Sequence, residues 1–162
     1  MCIGTVHPVT SRKPLPVYSS LARACTPGFA AQFQIVISLV PVPARGQLEG
    51  RRNRIECLFE DTSDPGEPGA VTATQVQEIL RAALPVEGSM LVHCQYGQSR
   101  SAAVALGLAC AAGWKLRDAA LELSRAAERP GLFYPNRLVV KLFDQALGMN
   151  GSLSKEAEKW QP

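Results

Sequence analysis

Ser89-Met90-Leu91-Val92-His93-Cys94-Gln95-Tyr96-Gly97-Gln98-Ser99-Arg100-Ser101 runs straight into the alanine-rich stretch from Ala102 to Ala112. The apolar residues up to His93 read as a buried central strand and the polar middle as a loop. The alanine run, apolar nearly all round, reads as a buried helix. That order puts the loop at the carboxyl end of the strand, with the positive end of the helix dipole aimed at it. Backbone N–H groups of a loop this short converge on a tetrahedral oxyanion. Gly97 supplies the positive φ that such a curl requires. Arg100, in the first helical turn, carries the planar fork that takes two phosphate oxygens at once, which a lysine does less well. Cys94 then lies beneath the phosphorus, where inward N–H groups, a helix N-terminus and a guanidinium favour the thiolate, the nucleophilic form of the residue. Taken singly, a cysteine after a strand is packing, an arginine is surface charge and a glycine is a turn. Together at this spacing they make a phosphate cradle with a nucleophile at its base.

Outward from the loop, strands and helices alternate. Phe33 to Val40 is an apolar, β-branched run suited to a buried strand, and Ile55 to Phe59 is a shorter one ending at an acidic loop. Thr72-Ala73-Thr74-Gln75 has the form of a capping box, opening a helix whose apolar face is Val76, Ile79, Leu80 and Ala83. Leu116, Ala119, Ala120, Leu123 and Ala127 mark another helix, and Leu138, Val139, Leu142, Phe143 and Ala146 a last one, while Gly113 ends the alanine helix. The expected fold is α/β, a mostly parallel central sheet flanked by helices, with the phosphate loop between a strand and a helix. Residues 1–151 read as a single domain and 152–162, largely polar, as a flexible tail. Functional loops of such sheets sit at the strands' carboxyl ends, so Asp61 and Cys94, each after a strand, converge on one crevice. The loop beyond Asp61, with Pro65, Gly66, Pro68 and Gly69, reads either as a mobile flap or as an ordinary turn.

Composition limits the function. With 162 residues the chain suits one domain with a sizeable core, and a formal charge of +3 is too small to argue for nucleic acid. Five cysteines, an odd number without a Cys-x-x-Cys pair, and two histidines argue against a disulfide framework and against a zinc site. A reducing compartment is expected, with the cytoplasm as location, since no apolar run is long enough to span a membrane and the first residues lack the pattern of a secretory signal. Cys57, near the acidic loop, reads as packing, with a protective disulfide to Cys94 as the alternative. Arg45, Arg51, Arg52 and Arg54 form a basic segment that reads as a solvated loop, or else as a draw for acidic partners.

His93 to Ser101 resembles the His-Cys-x5-Arg-Ser/Thr signature of the cysteine-dependent protein tyrosine phosphatase superfamily, and its Ser-Arg-Ser ending resembles the compact dual-specificity branch. Leu58-Phe59-Glu60-Asp61-Thr62 is similar to the strand and acid loop of these enzymes, and Tyr134-Pro135-Asn136 to their late Pro-Asn segment. The stretch from Val36 through Gly151 looks especially like the small bacterial tyrosine phosphatases. The resemblance implies a phosphomonoester hydrolase acting on phosphoproteins, at phosphotyrosine or also at phosphoserine and phosphothreonine, through a phosphocysteine. It implies Cys94 as nucleophile, Arg100 and the loop residues Gln95, Tyr96, Gly97, Gln98 and Ser99 as the phosphate site, and Asp61 as general acid, with Asp64 three residues on as the alternative. His93 would order the loop from behind, Ser101 would hydrogen-bond the departing thiolate, and Asn136 would brace the loop or simply cap a helix. No metal and no cofactor is implied. The partner is a phosphorylated protein, with neither nucleic acid nor membrane. A lysine-free loop favours phosphoprotein over polyphosphorylated lipid. A lipid or nucleotide phosphatase, and a phosphate-binding module without turnover, are the competing readings.

Overall fold

The computed structural model describes residues 13–43, 48 and 53–162. Four strands form one sheet in the order β1-β4-β2-β3, with every pairing parallel: β1 (Val17–Ser20), β2 (Ile35–Ser38), β3 (Arg54–Glu56) and β4 (Met90–Cys94). Parallel strands require crossovers, which here are α1 (Leu21–Ala24) with a short 3-10 turn, α2 (Ala73–Ala83) and the connections between them. After β4 come α3 (Arg100–Ala111), α4 (Leu116–Arg125), α5 (Arg137–Ala146) and α6 (Ser152–Glu158). The α/β architecture and the parallel sheet agree with the alternation read from the sequence.

Alternate residues of each strand face different layers. Ile35, Ile37, Met90, Val92 and Cys94 face the larger core with α2 and the later helices, whereas Val36 and Leu91 join a smaller cluster with Ala24, Ala30, Phe33 and Leu48. Because β4 is covered on both faces, its five residues are all buried. The alanine run in α3 has a packing reason. Its residues from Arg100 to Ala109 are all buried, and Phe143 of α5 lies so close over Gly107 that a Cβ there would enter the ring. Small side chains let the central helix approach its neighbours. The expected capping box of α2 is present in both halves, Thr72 accepting from Gln75 N and the Gln75 side chain accepting from Thr72 N.

Three features depart from the sequence reading. β1 lies in the stretch with no assigned element. Its inner residue Tyr18 is buried, donates to Leu123 O at 2.8 Å and faces the Phe133 ring at 5.9 Å. β3 is shorter than Ile55 to Phe59, because the chain leaves the ladder after Cys57 N meets Ser38 O, and Phe59 O turns to a side-chain donor instead. Residues 152–162, expected as a flexible tail, contain α6: Leu153 is fully buried, Ala157 is buried, and Trp160 packs edge-on to Phe133 at 5.4 Å. Gly151 offers no side chain to cap this helix, so the Asp144 carboxylate of α5 accepts from Gly151 N, Leu153 N and Ser154 N at 2.7, 2.8 and 3.1 Å. Arg45, Arg51 and Arg52 lie outside the described residues. Among those described, no helix is long and apolar enough to cross a membrane.

Candidate active site

All four strands point their carboxyl ends at one edge of the sheet, and the loop from Gln95 to Ser99 sits there between β4 and α3. Gly97 has φ +70°, and a Cβ on it would drive into the backbone of Ser19 and Ser20, so only glycine fits. The loop's outer turn rests on the end of β1 through Leu21 N to Gln95 O at 3.2 Å and a bridge between Ser20 and Tyr96. Glu128, 108 residues further on, fixes that strand end by accepting from Ser20 N and Ser20 Oγ at 2.9 and 2.8 Å.

Cys94 is the last residue of β4 and is buried, with its sulfur turned into the loop. Gly97 N donates to the sulfur at 3.3 Å, and Ser101 Oγ lies 3.1 Å away in the first turn of α3. Burial raises the thiols of Cys25, Cys57 and Cys110. Burial, with Glu78 adding, pushes Cys57 up to about 11, and burial, with Asp144 adding, does the same to Cys110. Cys57 donates to Gln75 O at 3.8 Å and is a free packing thiol.

Arg100 is 9% exposed and donates from Nη1 to Phe59 O at 2.7 Å, while its Nε is buried with no hydrogen-bond partner. The carbonyl that ends the β3 segment thus aims the guanidinium. α3 has no side-chain N-cap: Ser99, the N-cap residue, is turned toward Asp61 Oδ1, to which its Oγ donates at 2.8 Å. An uncapped N-terminus of a twelve-residue helix beside a buried guanidinium whose Nε has no partner is an arrangement that favours an anion.

Asp61 lies against this loop. Its Oδ1 accepts from Ser99 Oγ and from Asn136 Nδ2, both at 2.8 Å, and the same amide donates to Thr62 O at 3.1 Å. Asn136 Oδ1 accepts from Val139 N at 3.0 Å. Asn136 thus caps α5, while its amide ties down the acidic loop rather than the phosphate loop, which it meets through its backbone N to Ser99 O at 3.2 Å. Asp64 is exposed, and its Oδ1 accepts from Gly66 N at 2.8 Å within its own turn. The loop closes on itself where Glu60 N meets Gly69 O at 2.8 Å.

His93 stands on the other face of β4, where its Nε2 is 2.7 Å from Ser38 Oγ on the neighbouring strand. Burial pushes it down to about 4. A hydrogen bond with the Cys94 backbone opposes that shift and the Arg54 charge adds to it, so the ring is neutral at pH 7. Gln95 and Tyr96, the latter 66% exposed, form the rim of a cleft of about 510 Å³ that Arg100 also lines. Its other walls include Leu58, Glu60 and Gly69. The sequence reading missed Glu60, Ser20 and Glu128, since nothing in their local sequence reveals contacts made across the fold.

No family model matches the chain, and no curated protein sequence does. Among solved structures, a crystal structure of a point variant of human DUSP28, a dual-specificity phosphatase, is similar at a TM-score of 0.59 and 20% sequence identity, covering 85% of this chain and 99% of that one. At that identity the likeness is one of fold: the parallel sheet with its flanking helices shares the architecture of that structure.

Proposed function

We propose that the chain is a phosphomonoester hydrolase acting on phosphoproteins through a phosphocysteine intermediate. The observation that carries this reading is the Cys94 sulfur at the mouth of an uncapped helix, next to a buried arginine whose Nε has no partner. An unmet buried donor costs about 1–3 kcal/mol, and a phosphate oxygen would satisfy it. In the first step the Cys94 thiolate attacks phosphorus and the bond to the leaving oxygen breaks. Asp61 gives that oxygen its proton, while Arg100 and the N–H groups at the start of α3 hold the equatorial oxygens. In the second step Asp61 takes a proton from water, the water oxygen attacks phosphorus, and the S–P bond breaks as Ser101 Oγ donates to the departing sulfur. Inorganic phosphate leaves. His93 stays neutral behind the loop and takes no proton.

Hydrolysis of p-nitrophenyl phosphate and of a phosphotyrosine peptide by the purified chain tests the reading. Cys94→Ser is expected to abolish turnover while phosphate-ester binding persists, because Arg100 and the helix terminus remain. Arg100→Lys is expected to lose at least about a hundredfold in kcat/KM, since a point charge cannot replace the bidentate fork. Turnover surviving in Cys94→Ser would rule out the cysteine mechanism. Binding without turnover in the unaltered chain would make it a phosphate-binding module.

A further inference from the structure

The cleft that leads to Arg100 holds two charged side chains among the described residues that line it, the Arg100 guanidinium and the Glu60 carboxylate. No ion pair joins them: Arg100 Nη1 donates to Phe59 O, its Nε is buried without a partner, and no salt bridge links the two side chains. Glu60 is exposed and takes no cation partner among the described residues. Its position is fixed from below. Glu60 N donates to Gly69 O at 2.8 Å, and its side-chain stem crosses Gly69 so closely that a Cβ there would collide with it. Gly69, at φ +80°, is the residue that leaves room for this stem in the wall of the cleft. Asp61, Asp64 and Glu67 follow on the same exposed loop, and no lysine or arginine occurs from residue 55 to residue 80. A chain of net positive charge thus presents negative charge on this flank of the cleft.

A single phosphate seated on Arg100 has its charge answered there. Whatever the substrate carries next to that phosphate meets Glu60. We propose that Glu60 is a specificity-determining residue, selecting singly phosphorylated protein segments with lysine or arginine beside the phosphorylated residue and disfavouring a second phosphate. This rests on the reading of the site as a phosphomonoester hydrolase. A cation a few ångströms from an exposed carboxylate gains a modest attraction, and an acidic group is repelled by a similar amount. At the margin of a protein cleft this corresponds to about three- to tenfold in kcat/KM at low salt. The effect fades as ionic strength rises.

Three phosphotyrosine peptides, identical except for lysine, alanine or glutamate on both sides of the phosphotyrosine, test it with the full chain, Glu60→Gln and Glu60→Lys. The expected order for the unaltered chain is lysine over alanine over glutamate, spanning about tenfold at low salt and shrinking in 0.5 M salt. Glu60→Gln should narrow that span and Glu60→Lys invert it. The isosteric glutamine decides alone if the lysine variant does not fold. Titration of the same peptides against Cys94→Ser, with and without Glu60→Lys, reads the preference as binding. If the unaltered chain hydrolyses neither these peptides nor p-nitrophenyl phosphate, the reading of function fails, and the binding ratios still decide the role of Glu60. Identical peptide ratios in all three proteins would overturn it.

Discussion

At the scale of single residues, the bonding of Asp61 divides its two oxygens. Oδ1 is occupied by Ser99 and Asn136, which leaves Oδ2 as the oxygen through which the proposed mechanism would pass a proton. Asp64 spends a carboxylate oxygen on its own turn and, among the described residues, makes no hydrogen bond to the phosphate loop. Asp61→Asn is therefore expected to slow alkyl phosphate hydrolysis far more, by about a hundredfold or greater, than hydrolysis of activated aryl phosphates, because only poor leaving groups need the proton. Steady-state kinetics on a series of leaving groups measures this. The selective loss on poor leaving groups should appear in Asp61→Asn and be absent in Asp64→Asn. The opposite pattern would assign the acid to Asp64. Glu60, immediately before Asp61, is a different kind of residue. It has no chemical step to perform, and its effect shows in which peptide is chosen rather than in how fast a given bond breaks.

At the scale of elements, the last helix is the place where sequence and structure part most clearly. Leu153 of α6 is fully buried against the larger core, so Leu153→Ala is expected to cost about 2–5 kcal/mol. For a chain of this size that lowers the melting temperature by roughly 5–15 °C, read by thermal denaturation. A loose tail would show no change. The segment looked structureless because its apolar residues, Leu153, Ala157 and Trp160, are sparse and its cap is supplied from outside by Asp144. β1 was hidden for a similar reason. Val17-Tyr18-Ser19-Ser20 has little apolar content for a strand, and its burial comes from partners such as Leu123 and Phe133, more than 100 residues away. What was legible is what is contiguous: β4, the loop, Gly97, Arg100 and the start of α3 lie within thirteen residues, and chemistry and geometry are both local there. Capping box and alanine helix were legible on the same ground. The aim of Arg100, the tie on Asp61 and the charge of the cleft depend on Phe59, Asn136 and Glu60, and no local pattern announces those pairings.

At the scale of the whole molecule, His93 couples folding to acidity. Its folded value of about 4 lies below the ordinary 6.5, so the unfolded chain binds the proton more readily. Stability from keeping this ring neutral is complete above about pH 6.5 and is lost as pH falls toward 4, with about 2 kcal/mol gone by pH 5. Urea unfolding at pH 7, 6 and 5 should show the midpoint falling, and His93→Gln should flatten that fall. An equal fall in the variant would assign it to other groups. The contact between Gly97 and the end of β1 has a further consequence, for the order in which the molecule becomes competent. The floor of the phosphate loop is the backbone of Ser19 and Ser20, and that strand end is fastened by Glu128. A growing chain that has just exposed Cys94 holds the proposed nucleophile without this support until more than thirty further residues, through Glu128, have been added and folded back. Contacts of such long sequence separation form late and slowly. A product truncated before Glu128, though it bears the whole thirteen-residue loop segment, is therefore expected to hold its phosphate loop less firmly than the full chain, which limited proteolysis of the two compares.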